Sequence, residues 1–123
     1  MKKFILGSLL AMQFLWAEIP VIEAWNIQEI INNKSRVVTI KGEIVNTAFS
    51  ANQKVRYLNF GDDFTTAFSI VIFSYHMNNF KKKNIEPVEY YLKKNVSVTG
   101  KIKIFKDHPE IIVAGPDQIK VED

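Results

Sequence analysis

From residue 36 onward the chain alternates apolar and polar residues with a period of two, the mark of strands that bury one face. Over residues 36–46, Val38, Ile40 and Ile44 fall on one side and Thr39, Lys41 and Glu43 on the other, with Gly42 where the buried side expects a side chain. Residues 95–105 repeat the pattern. Val96, Val98, Ile102 and Ile104 face one way, Ser97, Thr99, Lys101, Lys103 and Phe105 the other, and Gly100 interrupts the inward series. A glycine inside a strand marks a bulge or a sharp bend, so two long strands bent at glycine are predicted. Between them, residues 54–60 and 67–73 read as two strands joined through Gly61-Asp62-Asp63, a hairpin signal, and residues 47–53 as a polar loop carrying Phe49. The turn Lys106-Asp107-His108-Pro109 leads into a last short strand over residues 110–114, ended by Gly115-Pro116.

Two stretches depart from this period. Residues 20–33 predict one short helix, with Ile22, Trp25, Ile27, Ile30 and Ile31 near helical spacing and Asn32-Asn33 as its stop. Residues 75–94 lose the alternation, hold Lys81-Lys82-Lys83 and Pro87, and predict an interrupted helix between two parts of a sheet. Helix, three strands, helix, two strands is the connectivity of an OB-fold, a small Greek-key barrel of five strands. In such a barrel a glycine lets one long strand turn a corner and serve two edges, a role open to Gly42 and Gly100. The expected class is therefore all-β with accessory helices, with another small barrel or an α+β roll as alternatives.

The N-terminus follows a different logic. Met1-Lys2-Lys3, an apolar run over residues 4–16 and Ala17 before Glu18 give the order of a secretory signal. The run contains Gln13 and falls short of the roughly twenty apolar residues that cross a bilayer, so no stable membrane insertion is expected after cleavage. Leu15, where a small residue is usual, keeps an uncleaved anchor as the alternative. The expected division is a signal at 1–17, an N-terminal helical segment at 18–35 and the barrel domain at 36–121, with the periplasm as destination and the outside medium as alternative. A chain of 123 residues has room for one such domain. The absence of cysteine removes disulfides, thiolate nucleophiles and thiolate metal sites.

Five stretches resemble the stations of bacterial OB-fold domains of the nucleic-acid-binding type, some of which occur in exported nuclease-associated proteins. They are Val38-Thr39-Ile40-Lys41-Gly42-Glu43-Ile44-Val45, Tyr57-Leu58-Asn59-Phe60-Gly61, Phe68-Ser69-Ile70-Val71-Ile72-Phe73, Val96-Ser97-Val98-Thr99-Gly100-Lys101-Ile102, and Pro109-Glu110-Ile111-Ile112-Val113 with Pro116-Asp117-Gln118-Ile119 after it. The resemblance spans residues 36–119 and implies the fold more directly than an activity. In size, and in joining a signal to one such domain, the chain also resembles the periplasmic bacterial OB-fold stress proteins.

Charge adds a direction. The formal charge of +3 falls to +1 without Lys2 and Lys3, but it is unevenly spread. Residues 81–106 hold eight lysines against Glu86 and Glu89, while the rest of the chain after residue 17 is acidic on balance. A one-sided field attracts polyanions, and lysines equally serve as solvated edge residues. OB-folds that bind single strands use cations for phosphate and aromatic platforms for bases. The candidate set is Lys54, Arg56, Tyr57 and Asn59 on or beside the second strand, Phe73 on the third beside Ser69 and Val71, Lys101, Lys103 and Phe105 on the fourth, and Lys106 in the turn that follows it. Phe49 and His108 belong to the two loops flanking the usual groove. Leu58 and Phe60 make the better core pair, which turns Tyr57 and Asn59 outward, although Tyr57 could instead cap the barrel.

Catalytic signals are missing from the sequence. There is no G-x-S-x-G, P-loop or glycine-rich dinucleotide loop, His76 and His108 lack an H-E-x-x-H setting, and Asp62-Asp63 reads as turn chemistry. The small thermostable nucleases are similar only in size and export. They need arginines and metal-holding carboxylates around a phosphate, whereas Arg36 and Arg56 stand alone here. The expectation is a non-enzymatic module without metal or cofactor that binds single-stranded nucleic acid weakly. The alternative is a periplasmic module for a protein, glycan or small ligand.

Overall fold

The computed structural model describes residues 19–63 and 66–122, so the expected signal at 1–17 lies outside the described residues. In chain order the elements are β1 (Val21–Glu23), α1 (Ile27–Asn32), β2 (Val37–Glu43), β3 (Asn46–Phe49), β4 (Val55–Asn59), β5 (Ser69–Phe73), α2 (Met77–Lys81), α3 (Pro87–Tyr90), β6 (Asn95–Phe105), β7 (His108–Ile112) and β8 (Ile119–Glu122). Tight 3₁₀ turns cover Ser74–His76 and Pro116–Gln118. The strands follow the hydrogen-bonded order β1-β2-β6-β7-β5-β4-β3, with β8 paired to β6. Neighbours are antiparallel except β1 with β2 and β5 with β7, which run parallel.

The two stretches with the cleanest alternation make the frame. β6 pairs with β2 through residues 95–101 and with β7 through residues 102–105, so a single strand belongs to two sheet regions. β2 and β3 are consecutive in the chain, separated only by Ile44 and Val45, yet they lie toward opposite ends of the strand order. One run of sequence thus serves both sides, as an OB-like fold requires. The hydrogen-bonded path itself stays open.

The glycines act differently from a simple corner. β6 runs through Gly100 without a break, and a Cβ there would stand 2.6 Å from Ile111 Cγ2. Close packing of β6 on β7 is what demands glycine at this position. At Gly42 an added Cβ would meet Ala24 at 2.8 Å and Phe60 at 2.9 Å, and the strand ends one residue later.

The described residues form eight strands, three more than the five expected. β1 lies inside the stretch read as helix, with Ile22 buried between exposed Val21 and Glu23, and the helix shrinks to α1. Three residues carry too little period to tell strand from helix; the partner decides, since β1 zips in parallel onto Thr39, Ile40 and Lys41. β3 replaces the start of the predicted loop, its polar Asn-Thr-Ala-Phe sequence suiting the last strand in the order. β8 adds a short partner to β6. Ile104, expected on the inward side, is exposed near the hairpin end. The segment between β5 and β6 is helical and interrupted as expected, with Pro87 in the first turn of α3.

The core gathers Val38, Ile40, Leu58, Ile70, Ile72, Val96, Val98, Ile102 and Ile111 from the strands and Ile44 from the β2–β3 link, closed by Ile30, Phe80 and Tyr91 from the helical segments, all fully buried. Each such aliphatic side chain contributes about 1.5–3 kcal/mol by leaving water. Among the described residues no helix is long and apolar enough to cross a membrane.

Candidate functional site

Across β3, β4, β5, β7 and β6 the register aligns Asn46, Asn59, Ser69, Glu110 and Lys103 in one rung. Strand alternation turns this rung away from Leu58, Ile70 and Ile111, which point into the core. Its middle is nonetheless nearly dry: Asn59 is 5% exposed, Ser69 1% and Glu110 8%. These polar side chains form the floor of a groove of about 700 Å³.

The floor is wired by hydrogen bonds that run in one direction. The Ser69 hydroxyl donates to Asn59 Oδ1 at 2.6 Å, and Asn59 Nδ2 donates to Asn46 Oδ1 at 2.7 Å. Asn46 Nδ2 in turn reaches the Gly61 carbonyl at 3.5 Å. With its only proton given to Asn59, Ser69 accepts from His108 Nε2 at 3.1 Å, which assigns the proton on that ring nitrogen. Buried polar groups satisfied in series are stiff, so the floor is preorganised. Glu110 stands beside this chain. Burial pushes its carboxyl above the ordinary value, and Lys103, its cross-strand neighbour, pulls it partly back.

The walls come from three separate stretches. Phe49 at the end of β3, Tyr57 on β4 and Phe105 at the end of β6 line the groove together with Thr47, Ala48 and Lys106. Lys106 and Asp107 both adopt left-handed backbone, φ 50° and 63°, as the two central residues of the tight β6–β7 hairpin. That turn pairs Phe105 with His108 and sets Lys106 Nζ 5.4 Å from the Phe105 ring centroid.

Of the candidates read from the sequence, Tyr57, Asn59, Phe105 and Lys106 meet in this groove, as do the loop residues Phe49 and His108. Lys103 flanks it through Glu110. The others lie elsewhere. Arg56 points to the opposite side from Tyr57, where its Nε donates to Glu86 Oε1 at 2.8 Å and its guanidinium sits 5.0 Å from the Phe49 ring. Lys54 precedes β4 and is exposed. Phe73 stacks on Tyr75, with centroids 5.5 Å apart and planes 4° from parallel. Lys101 lies opposite Val37 on the β2 side of β6. Lys81, Lys82 and Lys83 fall on or just after α2, so most of the lysine excess is outside the groove.

Asn46 and Glu110 were missed as site residues. The available signal was Glu110 itself, a lone acid between Pro109 and Ile111 in an otherwise apolar run. Among the described residues no group of His, Asp and Glu is arranged to hold a metal ion.

No family model matches this sequence, and no curated protein does. Similarity to solved structures is confined to the fold. The chain superimposes on the S. pombe Stn1-Ten1 complex with a TM-score of 0.51 at 17% identity, over 70% of this chain and 57% of that one. For an aspartyl-tRNA synthetase from Entamoeba histolytica the TM-score is 0.50 at 15% identity, over 78% of this chain and 20% of the enzyme. The chain therefore spans little more than half of the first and a fifth of the second. The class these observations define is a mostly β, OB-like module.

Proposed function

We propose that this chain is a non-enzymatic OB-like module that binds single-stranded nucleic acid in the groove over β4, β5 and β7. The observation that carries the reading is the convergence of Tyr57 and Phe105 on one preorganised polar floor, with Phe49 at its rim. Unstacked bases present both a π-face and a hydrogen-bonding edge, and a surface with aromatic walls and an amide, hydroxyl and carboxyl floor answers both. Lys106 and Lys103 are the cations placed to meet phosphate at the β6–β7 end. The likeness to an enzyme named for tRNA agrees with this reading through the fold. With residues 1–17 acting as an export signal, the module works in the periplasm.

With a single lysine among the described residues that line the groove, stacking outweighs phosphate contact and affinity is modest. The same scarcity of cations, together with buried Glu110, supports the second reading, an uncharged glycan or peptide ligand. Fluorescence anisotropy of labelled single-stranded oligonucleotides, titrated against the protein over a range of salt, separates the two. Binding should weaken by about tenfold or more in Tyr57→Ala and Phe105→Ala, since each stacked base is worth about 1–3 kcal/mol. It should fall only shallowly with salt, because few phosphates are neutralised. No binding at low salt would reject nucleic acid and favour the uncharged ligand.

A further inference from the structure

The groove floor has one acceptor left open. Asn59 spends its oxygen on Ser69 and its nitrogen on Asn46, and Ser69 is held between Asn59 and His108. The Glu110 side chain, between Ser69 and Lys103 in the same rung, lines the groove with its carboxyl hydrogen-bonded to no described residue, and Lys103 acts on it through charge alone. Its oxygens are not among the buried unpartnered atoms, so they open onto the groove and stand free to accept from a donor that enters it. Burial also pushes its proton affinity up, the same desolvation that a donor from the ligand would relieve.

Resting on the groove reading above, we infer that Glu110 is a specificity residue that selects bases presenting N–H donors, guanine first and thymine or uracil last. The chemistry follows from the base edges. Guanine offers N1–H and the N2 amino group side by side, matching the two oxygens of one carboxylate. Cytosine and adenine offer an amino group next to a ring-nitrogen acceptor, which gives one favourable contact. Thymine and uracil flank their single N3–H with two carbonyl oxygens, which the carboxylate repels. The aromatic walls hold any base by its faces, and the floor then ranks them by their edges.

The test uses labelled short oligothymidylates carrying one central guanine, cytosine, adenine or thymine, titrated by anisotropy against the full chain and against Glu110→Gln. The wild-type chain should favour the guanine oligonucleotide over all-thymine by about tenfold, the discrimination typical of a bidentate base contact. Glutamine keeps the size but replaces one acceptor with a donor, so Glu110→Gln should lose the guanine preference and gain affinity for thymine relative to the wild type. Equal binding of all four, or an order that survives Glu110→Gln, overturns this inference and leaves the groove reading standing. Binding of none overturns both.

Discussion

On the core side of β4, β5 and β7, Leu58, Ile70 and Ile111 form an apolar rung with no exposure at all. One residue along each strand, on the outer side, Asn59, Ser69 and Glu110 form a rung that is almost as dry and wholly polar. Dryness on the core side is repaid directly by the hydrophobic effect. On the outer side the same dryness must be matched by hydrogen bonds, and at Asn59 and Ser69 it is, while the Glu110 carboxyl opens onto the groove. Two faces of one sheet therefore separate what holds the protein together from the face proposed to meet a ligand.

Substitutions can break or sharpen that separation. The largest effect is expected on the core side. Ile70→Ala should lower unfolding stability by about 2–5 kcal/mol, the range for a buried aliphatic residue, while the residual folded protein keeps its oligonucleotide affinity; chemical denaturation and anisotropy read the two quantities. Asn59→Ala should cost less stability, about 1–3 kcal/mol from stranding Ser69 and Asn46, yet abolish most binding because the floor loses its wiring. If both substitutions affected binding alike, the two faces would not be functionally distinct.

Arg56→Ala should cost about 1 kcal/mol through the lost contact to Glu86 and weaken binding far less than Tyr57→Ala, since Arg56 is not among the residues lining the groove and touches it only through the Phe49 ring. The smallest change comes from Glu110→Gln and depends on pH. A carboxyl whose folded value lies above its unfolded one binds protons more readily in the folded state. It therefore contributes least when ionised, and stability falls as pH rises from the unfolded value through the folded one. Glu110→Gln should accordingly raise the melting temperature at neutral pH and leave it almost unaltered in acid, where the wild-type carboxyl is already neutral. A gain of the same size at both pH values would contradict the assigned burial.

Much of this frame was legible in the sequence because β2 and β6 bury one face over many residues, so their alternation is long and clean. β1, β3 and β8 were not, because runs of three or four residues carry little period and are fixed by partners far along the chain. Tyr57 and Asn59 were legible through parity with Leu58, whereas the same parity sends Arg56 to the other side. Lys54, Phe73 and Lys101 shared residue type with a nucleic-acid groove without sharing its place, since composition says nothing about which end of a strand a side chain occupies. Glu110 escaped notice because its meaning depends on three neighbouring strands.

The central claim, that the ligand sits on the polar floor between the aromatic walls, is tested most directly by backbone amide NMR shifts during titration with a single-stranded oligonucleotide. The account predicts saturable shifts concentrated at Asn46, Tyr57, Asn59, Ser69, Phe105, His108 and Glu110. Shifts confined to Lys81, Lys82, Lys83, Lys93 and Lys94 would place the contact on the lysine-rich helical segment and contradict it.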